Sequence, residues 1–451
     1  MKIAKTPKTP QTSNPPKPPK HQNPQTPQTS KSRKPTNPEA KNHKLGIAGL
    51  FWPMSLRSPG VWSRSLRSPV FLVDAALYPF VKTAPGTFCQ NSFRCTGFQK
   101  NSPDPIECAD NTIELLDLNN LQGLWYKENG GQKILKKSEI VAALNEKDFS
   151  HFYEKADLIR YRKKGDDVFI RAIIEFSNYC SRRCAYCGIN ADNKNINRYR
   201  MTASEITDTA EAAVKAGYKT IVLQSGENHK EDKKELGRII RAIKKNQVAV
   251  TLSIGELSYN DLSYFKECGA DRYLLKHETS DTDLYRSLHP DGNFEERIKC
   301  LRNIKKLGFE AGGGFMVGLP GQTIESIADD LLLLKELQCD MAGIGPFIPH
   351  PDTPLSESGS GSTELSKRAM AIARILLPKA NLTVTTALGI LDPKERDSAF
   401  HCGANVIMKK ITPDEYKEDY CIYPARFDRT DIIKDRREIE RIVVQTGRRP
   451  I

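Results

Sequence analysis

Val168-Phe169-Ile170-Arg171-Ala172-Ile173-Ile174-Glu175-Phe176 runs into Cys180-Ser181-Arg182-Arg183-Cys184-Ala185-Tyr186-Cys187 with only three residues between them. The first segment is mostly aliphatic and aromatic, the composition of a buried strand. The second sets three thiols at C-x3-C-x2-C. Three is one short of the number that saturates a four-iron cluster, so one iron would stay open to a small molecule. A closed zinc or electron-transfer site would need a remote fourth Cys. A loop directly after the first strand of a barrel is instead where catalysis sits.

Working outward, further β-rich runs occur at Thr220–Gln224, Val248–Ile254, Arg272–Lys276, Glu310–Val317, Met341–Gly345, Leu382–Ala387 and Asn405–Met408. Helical patterns separate them, among them Ala203–Ala216, Ile324–Leu337 and Ser366–Leu377. Ser138–Leu158 reads as a helix, with Ile140, Val141, Leu144, Phe149 and Phe152 on one face. Eight strands in βα alternation predict a parallel sheet closed as a (β/α)8 barrel of the TIM type over 136–424. Residues 425–451 are expected as a helical tail.

The N-terminal part has a different character. Residues 1–44 mix Pro, Thr, Lys, Gln and Asn with almost no apolar side chains, the composition of a disordered segment. Ser55-Leu56-Arg57-Ser58-Pro59 recurs as Ser65-Leu66-Arg67-Ser68-Pro69. Such Arg- and Ser-rich sequence fits a transit peptide, a low-complexity tail or translated upstream sequence alike. Residues 74–135 read as a linker whose Cys89, Cys95 and Cys108 lack tight ligand spacing.

Charge follows the same division. Nine Lys and four Arg against Glu39 give residues 1–73 a charge of +12, leaving about +1 of the formal +13 for the rest. The body therefore offers no basic footprint for nucleic acid. No apolar run reaches the 18 or so residues of a membrane span. Eleven Cys, an odd number at irregular spacing, argue against a disulfide scaffold and for a reducing compartment. The sequence does not fix which: a bacterial cytoplasm and, in a eukaryote, a hydrogenosome or plastid are all open.

Polar motifs fall at the expected strand ends. They are Leu223-Gln224-Ser225-Gly226-Glu227, Ser253-Ile254-Gly255-Glu256, Lys276-His277-Glu278-Thr279, Gly318-Leu319-Pro320-Gly321-Gln322-Thr323, the run Gly345–Pro354, and Thr385-Thr386. Singly, each reads as a loop or cap, Thr323 as a helix N-cap for example. Together they outline one rim.

The C-x3-C-x2-C spacing, with Tyr186 before the last Cys, resembles the radical S-adenosylmethionine (SAM) superfamily. The strand-end motifs narrow the resemblance to the [FeFe]-hydrogenase maturase HydE family, over about 137–424. The resemblance implies one [4Fe-4S] cluster on Cys180, Cys184 and Cys187, and SAM cleaved to a 5′-deoxyadenosyl radical. It implies SAM contacts at Tyr186, Gln224, Ser225, Gly226, Glu227, Ser253, Glu278 and Arg297. It places Arg272, Lys276, Met341, Thr385, Thr386, Tyr420 and Tyr423 on the substrate side. The implied substrate is an iron complex carrying cysteine, carbon monoxide and cyanide. Implied partners are a ferredoxin- or flavodoxin-type electron donor and other hydrogenase maturation proteins, with no nucleic acid and no membrane.

Two features depart from the family pattern. Lys276 stands where relatives usually have Arg, which keeps the charge but loses the bidentate fork. No Cys follows Cys421, so a second, C-terminal cluster is not expected. A biotin-synthase-like enzyme would need ligands for a second cluster within the barrel, and Cys268, Cys300, Cys339 and Cys402 are not placed for one. A methylornithine-synthase-like mutase is opposed only by the motifs at strands four, six and seven. A non-catalytic iron–sulfur or nucleic-acid-binding protein would show a basic stripe outside the tail.

Overall fold

A computed structural model describes residues 135–424 and 429–451. The expectations for residues 1–134 lie outside the described residues. Eight parallel strands follow one another around a closed barrel: β1 Asp167–Ser177, β2 Thr220–Ser225, β3 Ala249–Ser253, β4 Arg272–Leu274, β5 Glu310–Val317, β6 Met341–Pro346, β7 Asn381–Val384 and β8 Val406–Lys410. Pairing of β1 with both β2 and β8 closes the ring.

The two faces of each strand differ in kind. Ile170, Ala172, Ile174 and Phe176 of β1 join the apolar core formed with the surrounding helices, as do Ile221 and Leu223 of β2 and Ala342 and Ile344 of β6. By strand alternation the other set points inward. That set is Arg171, Ile173 and Glu175; Val222 and Gln224; Glu310, Gly312, Gly314 and Met316; Met341, Gly343 and Gly345; and Val406, Met408 and Lys410. Barrels of this class are usually filled with branched apolar side chains. Here four glycines and four charged groups share those places with apolar side chains, and a Cβ built on Gly343 would meet nothing within 4 Å. The barrel interior is therefore mixed in polarity and leaves open space at Gly343.

Several boundaries differ from the sequence expectation. Ser138–Leu158 is two helices, Lys137–Leu144 and Ser150–Lys164. The Asn145 side chain turns back to the Val141 carbonyl (3.0 Å), and the Asp148 carboxylate receives the Ser150 N–H (3.0 Å). Side chains that compete for backbone groups in this way end one helix and start the next. The seventh strand stops at Val384 because Thr385 caps the helix Thr386–Leu391. Thr323 is the N-cap expected of it, accepting from the Ser326 N–H at 3.1 Å.

The C-terminal segment is not purely helical. After the helix Ile432–Gln445, Arg449–Pro450 forms a ninth strand, β9, beside the start of β1. Arg448 reaches Asp157 at 2.7 Å. No described helix is long and apolar enough to cross a membrane.

Candidate active site

Cys180, Cys184 and Cys187 lie together on the loop leaving β1, all half-buried. Side chain to backbone hydrogen bonds hold this loop in place of regular structure. Arg198 donates to the carbonyls of Asn178 (2.7 Å), Ile189 (2.8 Å), Asn190 (2.5 Å) and Asn193 (3.1 Å). Asn190 Oδ1 caps the N–H groups of Asp192 and Asn193, and Asn193 Nδ2 reaches the Gly188 carbonyl at 2.6 Å. Sequence reading gave Arg198 no role; the Asn-rich run 190–197 was the available sign of such turns.

Burial pushes the Cys184 thiol up to about 12, with the neighbouring Cys180 adding to the effect. Cys187 is raised by burial and then by both other thiols. The three thiols thus sense one another within a single loop.

The strand ends close on this loop. Gly226 lies so near that a Cβ would stand 2.5 Å from the Tyr179 carbonyl and 2.8 Å from Cys180 Cβ. Glu227 receives Arg182 Nε at 2.5 Å and the Glu256 N–H at 2.8 Å, so both its oxygens already have protein donors. Glu256 bridges onward to Arg297 Nε at 2.8 Å. Arg297, expected as a carboxylate ligand, is 8 % exposed and so is no solvated helix residue. Ser253 pairs in register with Gln224, and the Ser225 hydroxyl donates to the Gly226 carbonyl at 2.8 Å.

Lys276 Nζ is 2.9 Å from Glu278. Burial alone would raise the Glu278 carboxyl, but Lys276, with Arg297 and His289 adding to it, holds the group below the ordinary range. Glu278 has φ +68 and bridges to Phe315, a turned backbone that aims its side chain inward past the end of β4. Tyr420 is buried, and burial raises its hydroxyl with Gln224 pulling the other way; burial likewise raises Tyr423, with Lys410 and Thr386 opposing. Thr385 occupies space that only a glycine at 345 leaves open.

Two expected substrate residues lie elsewhere. Arg272 and Met341 begin β4 and β6, at the opposite end of the strands from the cysteine loop. Arg272 pairs with Glu310 at 2.7 Å, and Met341 Sδ receives Arg171 Nη1 at 3.0 Å. They form the floor of the cavity, not its rim. A buried pair that sequence reading missed, Glu175 with Lys410, spans the interior between β1 and β8 at 2.8 Å.

Residues 174–334 match the radical SAM superfamily. Over 296 residues the chain is 50% identical to the [FeFe] hydrogenase maturase subunit HydE of Thermotoga maritima, covering 65% of this chain and 84% of that one. The chain belongs to the HydE family of radical SAM enzymes. Membership implies a 4Fe-4S cluster and SAM. This HydE-family chain is also 28% identical over 301 residues to 3-methylornithine synthase of Methanosarcina barkeri, 66% of this chain and 84% of that one. A solved structure of methylornithine synthase matches its fold with a TM-score of 0.63 at 26% identity, covering 70% of this chain and 94% of the other.

Proposed function

We propose that the protein carries a single cluster on Cys180, Cys184 and Cys187 and uses SAM to modify an iron-bound cysteine ligand in the maturation of [FeFe]-hydrogenase. The observation that carries this reading is the gathering of the three thiols, Arg297 and the Lys276–Glu278 pair at one end of a hollow barrel. When bound, the cluster and SAM supply an electron and a 5′-deoxyadenosyl radical. Arg297 offers a planar cation to the methionyl carboxylate, and the main chain of 224–226 faces the amine. Glu227 acts through Arg182 and Glu256 to hold the loop and Arg297 in place. Thr385, Thr386, Tyr420 and Tyr423 line the substrate wall, and the enclosing barrel keeps water away. Among the described residues Cys268, Cys300, Cys339 and Cys402 are buried and Cys421 is half-buried.

A low-potential one-electron carrier of the ferredoxin or flavodoxin type is the donor this chemistry needs, and the other maturation proteins are the partners. Anaerobic reconstitution, then reduction with SAM present, should yield 5′-deoxyadenosine, and Cys184→Ala should abolish it. Rescue of hydrogenase activity in a host lacking its maturase then separates this function from that of a mutase. No rescue by a chain that still cleaves SAM would refute the maturase assignment.

A further inference from the structure

His289 follows the helix Thr282–Leu288 and is 2 % exposed. Its Nδ1 lies 2.9 Å from the Tyr285 carbonyl oxygen. A carbonyl only accepts, so Nδ1 carries the proton, and in a neutral ring Nε2 is then an acceptor. Burial, aided by Arg297, keeps the ring neutral by pushing its pKa down to about 4. The Tyr186 hydroxyl, 2.9 Å from Nε2, is therefore the donor. Tyr186 sits between Cys184 and Cys187, so this bond aims at the turn that joins two of the three thiols.

The other side of the imidazole faces the Arg297 group. Its ring stacks on Tyr285 with centroids 4.0 Å apart, and the Tyr285 hydroxyl receives Arg297 Nε at 3.3 Å. The same turn grips the loop backbone: Ala185 N–H donates to the Leu288 carbonyl and Arg182 Nη1 to the Asp291 carbonyl, both at 2.9 Å. Gly292 permits the turn, since a Cβ there would lie 2.8 Å from His289 Cβ.

We propose that His289 is a positioning residue: its Nε2 lone pair orients Tyr186, and with it the Cys184–Cys187 turn, relative to Arg297, so that SAM meets both in one geometry. This rests on the assignment of the three cysteines and Arg297 above. A histidine that merely fills the core would stabilise the fold without affecting how SAM meets the cluster.

The test uses anaerobically reconstituted full-length protein, wild type beside Tyr186→Phe, His289→Gln, His289→Leu and the double Tyr186→Phe/His289→Leu. Iron and sulfide per chain report the cluster, and the change in the reduced cluster's electron paramagnetic resonance on SAM titration reports binding. Iron content should match wild type in every variant. Tyr186→Phe should weaken SAM roughly tenfold, the loss of one buried hydrogen bond, and His289→Leu, which also removes the Nδ1 bond to the Tyr285 carbonyl, at least as much. The double variant should be no weaker than His289→Leu alone, because that substitution already removes the bond to Tyr186. His289→Gln, which can donate to Tyr285 and accept from Tyr186, should stay within about threefold of wild type. Unchanged SAM affinity in Tyr186→Phe, or losses that multiply in the double variant, would overturn the proposal. If His289→Leu does not fold, Tyr186→Phe and His289→Gln decide alone. A wild-type chain that takes up no cluster removes the cysteine assignment itself, and this proposal with it.

Discussion

Lys410 on β8 and Glu175 on β1 meet inside the barrel, ammonium to carboxylate at 2.8 Å, with Thr412 Oγ1 3.3 Å from the second carboxylate oxygen. Burial raises the Glu175 carboxyl above its ordinary range even though Lys410 pulls it down. The lysine is raised too: burial lowers it, but Glu175, with Tyr423 and Cys421 adding to it, more than compensates. Removing one member of such a pair leaves the other without its counter-charge.

Lys410→Met should therefore destabilise the protein by up to about 3–5 kcal/mol near neutrality. The sign with pH is determined by Glu175. A carboxyl whose folded pKa lies above its unfolded value loses stability as pH rises through that interval, and without Lys410 the interval widens. The deficit should be small in acid and grow with rising pH. Urea unfolding of Lys410→Met across a pH series checks this, and a deficit independent of pH would contradict it.

Lys276 governs the state of Glu278. A carboxyl held below its unfolded pKa contributes above that pKa and loses its contribution as pH falls through the folded one. In Lys276→Met the main opposition to burial is lost, so the Glu278 pKa should rise and the acid limb of SAM binding should move to higher pH. Lys276→Arg keeps the charge and should leave the limb in place. SAM affinity measured against pH distinguishes the two. A limb that stays fixed in Lys276→Met would show that Glu278 does not meet SAM.

Gly343 faces open space inside the barrel. Gly343→Leu should fill part of the cavity while leaving the rim intact. The expected result is wild-type iron content and SAM affinity with loss of product formation. Equal loss of both SAM affinity and turnover would mean that the cavity does not admit the substrate.

The end of the chain stitches the barrel floor. Ile451 N–H donates to the Val168 carbonyl at 2.9 Å, Ile170 N–H to the Ile451 carbonyl at 3.1 Å, and Arg448 binds Asp157. Deleting 446–451 should cost about 2–3 kcal/mol from the lost bonds, read as a lower unfolding midpoint. Because these contacts lie at the far end from the cysteines, iron uptake by the folded fraction should not change.

Much of the architecture was legible in the residues themselves. The strand runs stood out because apolar side chains dominate their outward face, and the thiol triplet because ligand spacing within one loop is local. Thr323 as a cap is local in the same sense. The break at Asn145–Phe149 was hidden because apolar side chains on both sides of it keep a helical rhythm, while the side-chain bonds that end the helix leave no periodic trace.

Local periodicity and spacing alone are therefore enough to set out eight βα units and three thiols within one loop. Only the tertiary structure decided that Arg272 and Met341 belong to the floor and Lys276 to the rim. It alone paired Glu175 with Lys410 across 235 positions of chain and set Tyr186 against His289. Barrel closure brings residues distant in sequence to one level, and hydrogen-bond partners chosen at that level depend on geometry that no local pattern encodes.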